Sequence, residues 1–453
     1  MFGDIKRIHF VGIGGIGMSG LAKILLQHGG FEVSGSDLCD SPSLDRLRAL
    51  GARIHVGHHA DYLQDAQAVV YSSAIPYENP EIEEARARSL PLVHRSELLS
   101  ELMRFKEGIT ITGTHGKTTT TAFCGLILQE AGLDPNVVVG ANVKPLGGNA
   151  RYGKGRHFVA EADESDRSFL KLHPLIAIVT NIDLDHLDVY RNLDDLKETF
   201  LQHIHSVPFY GTVILCHDDP HLRSLQKNVH RRMLTYGLSA DSDIQAQNLE
   251  LKGFKASYQC VYENRIQGQI RLNVGGEHNV VNSLAAVAVG RTLGLDFATI
   301  AVALERFEGA ERRLEWKGEK NGVVVIDDYG HHPAEIKASL ATCKQVERRI
   351  VLVFQPHRYT RTQHLMDSLV ESFDLADELY LLDIYAAGET PIGGISSETL
   401  ADRVASSRSV TYVRSFEEAL ERLNKSLGQG DLLLTMGAGN VWRLGERFLE
   451  ENN

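Results

Sequence analysis

Short apolar, β-branched runs alternate with helical stretches along nearly the whole chain, and the pattern restarts twice. In the first block the runs predict strands over Arg7–Ile13, Phe31–Ser36, Arg53–Val56 and Ala68–Ser73, with helices between them. Such alternation marks parallel sheets covered by helices, because a crossover between parallel strands must pass over one face. A new strand, Ile109–Thr112, opens a second block that continues through His157–Ala160, Ile176–Thr180 and Thr212–Leu215. A polar, alternating stretch, Asp243–Val274, then predicts an antiparallel insertion, followed by helices near Asn279–Thr292 and Asp296–Phe307. The third block carries strands Val323–Asp327, Ile350–Phe354, Glu378–Leu382 and Asp431–Thr435. The boundaries fall near 107 and 311.

The length, 453 residues, agrees with three domains at roughly 150 residues each. A net charge of −12 argues against a nucleic-acid surface. No apolar run approaches the roughly 20 residues that cross a bilayer, so no membrane insertion is expected. The start, MFGDIKRIHFVGIGG, runs into a strand and a glycine loop without the basic and apolar pattern of a signal peptide. Cys39, Cys124, Cys216, Cys260 and Cys343 are scattered and form no CxxC pair, which suits reduced thiols in a cytoplasm and no zinc site. The expected location is cytoplasmic.

Two glycine loops carry the candidate chemistry. Val11–Gly17 places Gly12, Gly14, Gly15 and Gly17 between a strand and a helix, fitting G-x-G-x-x-G with one further glycine, and Asp37 follows at the end of the second strand. The glycines let the backbone approach a pyrophosphate, and an acid at that place accepts from a ribose hydroxyl. An NAD-dependent dehydrogenase and a nucleotide-sugar site satisfy this loop equally. The second loop, Thr112–Thr119, contains Gly113, Thr114, His115, Gly116, Lys117, Thr118 and Thr119. Its backbone N–H groups can cradle phosphates, Lys117 can neutralise the β/γ charge, and the Thr118 hydroxyl can ligate magnesium. Ile111 stands where the usual first glycine of a phosphate loop would be. A dehydrogenase has no use for a second cradle, so two phosphorylated ligands are expected, with ATP at the second. Acids at 161–166 and 181–186 close the next two strands, where open parallel sheets bind ligands. Asp163, Glu164 and Asp166 read mostly as caps or supporting residues.

The motifs Gly113–Thr118, Glu161–Ser165, Thr180–His186, Gly276–Asn282, Arg312-Arg313 and Asp327–Pro333 together resemble the Mur ligases, which add amino acids to the bacterial peptidoglycan precursor. The likeness spans all three blocks. Phe354–Arg361 and Gly437–Asn440 resemble the branch that joins L-alanine to UDP-N-acetylmuramate. The resemblance implies an α/β chain of three domains. Residues 1–106 would form a Rossmann-like UDP-sugar domain, 107–310 a P-loop ATPase-like ATP domain with a mostly parallel sheet, and 311–453 a Rossmann-like amino-acid domain.

It further implies ATP and magnesium (Mg2+) as cofactors, with activation of the muramate carboxylate as an acyl phosphate. Lys117 would hold the ATP phosphates, Thr118 and Glu161 one magnesium, and His186 a second. Asn279 and Asn282 would lie by the adenine, and Arg313 and Asp328 would close over the nucleotide. The first loop with Asp37, Ser72 and Ser73 would hold the UDP end, and His331, His357, Arg358 and Arg361 the amino acid. Several Mur ligases carry a carbamylated lysine about fifteen residues past the histidine ligand. Phe200–Ile204 has no lysine, which the L-alanine-adding branch is similar in lacking. A recycling ligase that attaches a ready-made tripeptide is the nearest competitor, and a binding protein with a degenerate ATPase site is a further alternative.

Overall fold

The fold, seen in a computed structural model that describes residues 2–185 and 189–451, is built on three sheets. The first contains β1 (Arg7–Val11), β2 (Glu32–Asp37), β3 (Arg53–Val56), β4 (Ala68–Tyr71) and β5 (Leu92–His94), in the order β3-β2-β1-β4-β5 and all parallel. Strand order reverses between β1 and β4, and a crevice at such a reversal is where open α/β sheets take ligands. The first glycine loop leaves β1, and Ser72-Ser73 leave β4, so both arrive at that place.

The second sheet has ten strands. They are β6 (Glu107–Thr112), β7 (Asn136–Val143), β8 (Gly148–Arg151), β9 (His157–Glu161), β10 (Ile176–Val179), β11 (Thr212–Cys216), β12 (Arg232–Gly237), β13 (Ile244–Lys252), β14 (Lys255–Tyr262) and β15 (Arg265–Leu272). β6 lies between β9 and β10, parallel to both. The phosphate loop after β6 is therefore flanked by the two segments that carry the acids. The third sheet runs β16 (Glu315–Lys320), β17 (Val323–Asp328), β21 (Asp431–Met436), β18 (Arg349–Phe354), β19 (Glu378–Leu381), β20 (Thr411–Tyr412). β17 and β21 are buried at every position, as strands covered on both faces by helices must be. Cα packing groups residues 1–247, 259–270 and 281–307 into one compact unit, and 248–258, 271–280 and 308–453 into a second.

Most predicted strands are present with ends moved by one or two residues. The stretch Asp243–Val274 does form strands, but β13 pairs in parallel with β12 (Tyr236 with Ile244), so it extends the main sheet instead of standing apart. The strands β5, β7, β8, β12, β16 and β20 went unpredicted. β16 reads EWKGEK, an edge strand with no apolar alternation to reveal it, and it pairs antiparallel to β17 through a bulge between Trp316 and Gly318. The helix Phe297–Glu305 starts where Asp296 accepts from the Thr299 amide at 3.3 Å, a side-chain cap that fixes its first turn.

His203 fills the region in which a lysine was sought. It is fully buried on helix Leu193–Ser206, its Nε2 lies 3.1 Å from Thr110 Oγ1, and its ring packs 5.0 Å from that of Phe169. Burial pushes its pKa from the ordinary 6.5 down to about 4. The unfolded chain therefore takes up a proton that the folded chain refuses, and the stability His203 supports is lost as pH falls from about 6.5 to about 4. Urea unfolding at several pH values should give a shallower acid limb for His203→Gln than for the wild type. An unchanged limb would mean that this histidine is not titrating on unfolding.

Candidate active site

In the first unit, the first glycine loop is held from within. Gly12 and Ile13 donate their amides to Ser36 O at 2.9 and 3.0 Å, and Gly14 donates to Asp37 Oδ2 at 2.8 Å. Gly12 has φ +76, a left-handed conformation that favours glycine, and an added Cβ would also have to displace the tip of Ile75, 2.9 Å away. Gly15 N-caps the helix Ile16–His28 without a side-chain cap, and Gly17 lies in its first turn. Asp37 thus orders the loop with one carboxylate oxygen. Ser72 accepts the Ile75 amide through its carbonyl, and Ser73 Oγ donates to Asp166 Oδ2 at 2.5 Å.

The second loop is laced to the segment after β10. Thr114 N donates to Asn181 O (3.2 Å), His115 N to Asn181 Oδ1 (2.8 Å) and Thr180 Oγ1 to His115 O (2.6 Å). His115 Nε2 sits 3.2 Å from Asp183 Oδ2. Gly116, at φ +80, N-caps the helix Lys117–Glu130, and an added Cβ would run into the Asn282 side chain. Lys117 Nζ donates to Gly113 O (2.7 Å), Thr114 O (3.0 Å) and Glu164 Oε1 (2.8 Å). Burial would strip its proton, but the surrounding Glu164, Asp163 and Glu161 outweigh that and hold its pKa above the ordinary lysine value. Thr118 Oγ1 lies 3.2 and 3.1 Å from the two Glu161 oxygens, and Gly140 N donates to Glu161 Oε2 at 2.7 Å. A hydroxyl and a carboxylate side by side are the hard oxygen donors that suit magnesium. Thr119 is buried in the first turn of the helix. His186 lies outside the described residues.

In the second unit, Asp328 closes β17 and is nearly buried, accepting from the amides of Leu314 (2.8 Å) and Gly330 (2.7 Å). Burial raises its pKa to about 6 against the pull of Arg313. Arg313 stacks over Tyr329 with its guanidinium carbon 5.2 Å from the ring centre, and lies 3.9 Å from Glu335. Asn279 donates from its side chain to Gly275 O at 2.7 Å. The rings of His331 and His357 lie 5.9 Å apart, and Arg361 Nη1 is 3.1 Å from His357 Nδ1. Burial and the charges of His331, Arg361 and Arg358 push His357 down to about 3, so it is a neutral imidazole. Arg358 is drawn aside: its Nε pairs with Glu389 Oε1 at 2.9 Å. The three other residues expected at the amino acid therefore meet, while Arg358 is anchored to a neighbouring loop.

Sequence reasoning missed Tyr385, which stacks on His357 at 5.7 Å and 9°, and Glu389, which also accepts from Thr360. Neither lies in a motif, and both come from the loop after β19, where only the sheet order brings them beside β18. It missed Arg95 too, whose Nη2 reaches Asp163 Oδ2 at 2.7 Å.

Comparison with known proteins decides the family. The chain matches the family model for the Mur ligase family, catalytic domain, over residues 7–107, that for the Mur ligase middle domain over 111–290, and that for the Mur ligase, glutamate ligase domain, over 312–439. The chain belongs to the Mur ligase family. A UDP-N-acetylmuramate–L-alanine ligase of Geobacter sp. (strain M21) is 49% identical over 453 residues, covering 99% of this chain and 98% of the relative. The protein of the same name from Syntrophotalea carbinolica is also 49% identical, covering 99% of each. Among solved structures, the UDP-N-acetylmuramate-alanine ligase of Thermotoga maritima superposes with a TM-score of 0.84 at 30% identity, covering 98% of both chains. A murein peptide ligase from Psychrobacter arcticus gives 0.75 at 25% identity, covering 98% of both. A Mur ligase has no dehydrogenase chemistry, so the dehydrogenase reading of the first loop falls. Among the described residues, no helix is long and apolar enough to cross a membrane.

Proposed function

We propose that this Mur ligase joins L-alanine to the lactyl carboxylate of UDP-N-acetylmuramate, using ATP and forming ADP and phosphate, as a step in peptidoglycan precursor synthesis. The observation that carries the reading is that relatives 47–49% identical over at least 99% of the chain bear that name. The murein peptide ligase stands at 25%.

A free carboxylate resists an amine because its leaving group would be an oxide, and transfer of the γ-phosphoryl group supplies a better one. Little covalent chemistry falls to the protein, so positioning and charge neutralisation carry catalysis. Lys117 and the amides of Gly113–Lys117 hold the ATP phosphates, with Thr118 and Glu161 as the ligands of a magnesium ion. Such an ion screens the repulsion between triphosphate and carboxylate. Asn279 and Asn282 serve the adenine, while Arg313 and Asp328 close on the nucleotide. Gly12–Gly17, Asp37, Ser72 and Ser73 take the UDP end, and His331, His357 and Arg361 the amino acid. The three roles assign residues 1–106, 107–310 and 311–453 as UDP-sugar, ATP and amino-acid domains. A cytoplasmic location agrees with these substrates.

The activation step has an isotopic test. With ¹⁸O in the muramate carboxylate, one labelled oxygen should leave in the inorganic phosphate. Label found in AMP or in water, with none in the inorganic phosphate, would contradict activation by phosphoryl transfer to the carboxylate.

A further inference from the structure

Every acid of the six-residue segment Glu161–Asp166, which begins at the last residue of β9, has a partner, and the partners alternate between two sides. Glu161 takes Thr118 Oγ1 and the Gly140 amide, and Glu164 pairs with Lys117 at 2.8 Å; both face the phosphate loop. Asp163 and Asp166 face the first sheet's domain. Asp163 binds Arg95 Nη2 at 2.7 Å, and Asp166 accepts from Ser73 Oγ, with His94 Nε2 3.7 Å away. The segment is also tied to itself, since Asp163 Oδ1 accepts the Ser165 amide (3.1 Å) and Asp166 Oδ1 the Ser168 amide (2.9 Å). A shift of Asp163 is therefore felt at Glu161 and Glu164, two residues before it and one after.

Arg95 touches a second place. Its Nη1 lies 3.4 Å from where a Cβ on Gly17 would stand, on the last glycine of the first loop. One guanidinium thus lies beside the first loop with one nitrogen and binds Asp163 with the other. Its backbone is fixed as the first residue of helix Arg95–Met103, which His94 caps by accepting the Ser96 amide. A planar guanidinium held at one edge passes rotation to the other, which a flexible ammonium does not.

We propose that Arg95 and Asp163 are positioning residues that couple occupancy of the first glycine loop to the geometry of the phosphate loop, so that a sugar nucleotide and ATP each bind more tightly in the presence of the other. This rests on the first loop being the sugar-nucleotide site. An anionic diphosphate beside Gly17 attracts the Arg95 guanidinium, which sets Asp163 and with it the carboxylates that address Thr118 and Lys117. Such coupling is reciprocal, because it is one free energy seen from two sites.

Calorimetry on the full chain tests it. The affinity for UDP-N-acetylmuramate is measured with and without a non-hydrolysable ATP analogue and Mg2+, and that for the analogue with and without the sugar nucleotide. The wild type should give the same enhancement both ways, on the order of 10-fold. Asp163→Asn, which keeps the side-chain shape, and Arg95→Ala should each lower it below about 2-fold, and the double variant should be no worse than either single one. Arg95→Lys should recover only part of it. If Arg95→Ala does not fold, Asp163→Asn decides alone. Independent binding of the two ligands in the wild type, or an undiminished enhancement in Asp163→Asn, overturns the coupling while leaving the functional reading intact. No binding of UDP-N-acetylmuramate to the wild type overturns both.

Discussion

Replacing Lys117 with alanine should lower the rate of ligation by about 10²–10³-fold or more, since removal of one preorganised charge at a transition state typically has that effect. Lys117 Nζ stands in the mouth of the loop, donating to Gly113 O and Thr114 O, with its charge secured by the acids around it. Its ion pair with Glu164 adds a consequence for stability. Burial raises the Glu164 carboxyl to about 7 even though Lys117 pulls it down, so without the lysine it rises further. Below about pH 7 the carboxyl is protonated in both proteins; above it the wild type gains a paired carboxylate, while the variant must hold its proton or bury an uncompensated charge. The melting temperature of Lys117→Ala should therefore match the wild type closely at pH 6 and fall below it at pH 8. Ligation above roughly a third of the wild-type rate would remove Lys117 from the phosphate site.

Arg361→Ala should reduce kcat/KM for L-alanine about 10–150-fold, the equivalent of about 1.5–3 kcal/mol for a hydrogen bond to a charged group. The KM for ATP should change little. Arg361 is oriented by His357 Nδ1 at 3.1 Å, and that imidazole is neutral, so it accepts from the guanidinium without repelling it. A planar fork can take a carboxylate through two parallel bonds and so fix which face of the amino acid meets the reacting centre. Arg361→Lys keeps the charge and loses the fork, and should remain impaired. A kcat/KM for L-alanine within about threefold of the wild type for Arg361→Ala would place the acceptor's carboxylate elsewhere. Arg358, tied to Glu389, should matter less than Arg361 at this step.

The fold was legible where apolar runs are long and both faces are buried, as in β10, β11, β17 and β21. It was not legible in edge strands such as β16, whose EWKGEK carries no period, or in how the polar stretch after Gly237 joins the main sheet. The phosphate loop could be read because its chemistry is local: glycines, a lysine and threonines within eight residues. Asp37 was expected to take a ribose hydroxyl, and the structure gives one of its carboxylate oxygens the Gly14 amide as partner. Tyr385, Glu389 and Arg95 were hidden because their partners are 28, 29 and 68 residues away in sequence. The alternation of partners along Glu161–Asp166 was hidden for the same reason: four acids within six residues look alike until their distant partners are placed around them.

The central claim, ligation of L-alanine to UDP-N-acetylmuramate, is tested most directly by phosphate release with ATP, Mg2+ and UDP-N-acetylmuramate. The acceptors to compare are L-alanine, glycine, L-serine, D-alanine and the tripeptide L-alanyl-γ-D-glutamyl-diaminopimelate. L-alanine should be preferred, with glycine weaker by the worth of one methyl group, about 1–3 kcal/mol, and with D-alanine and the tripeptide rejected. A clear preference for the tripeptide, or release that does not depend on any acceptor, would contradict the account.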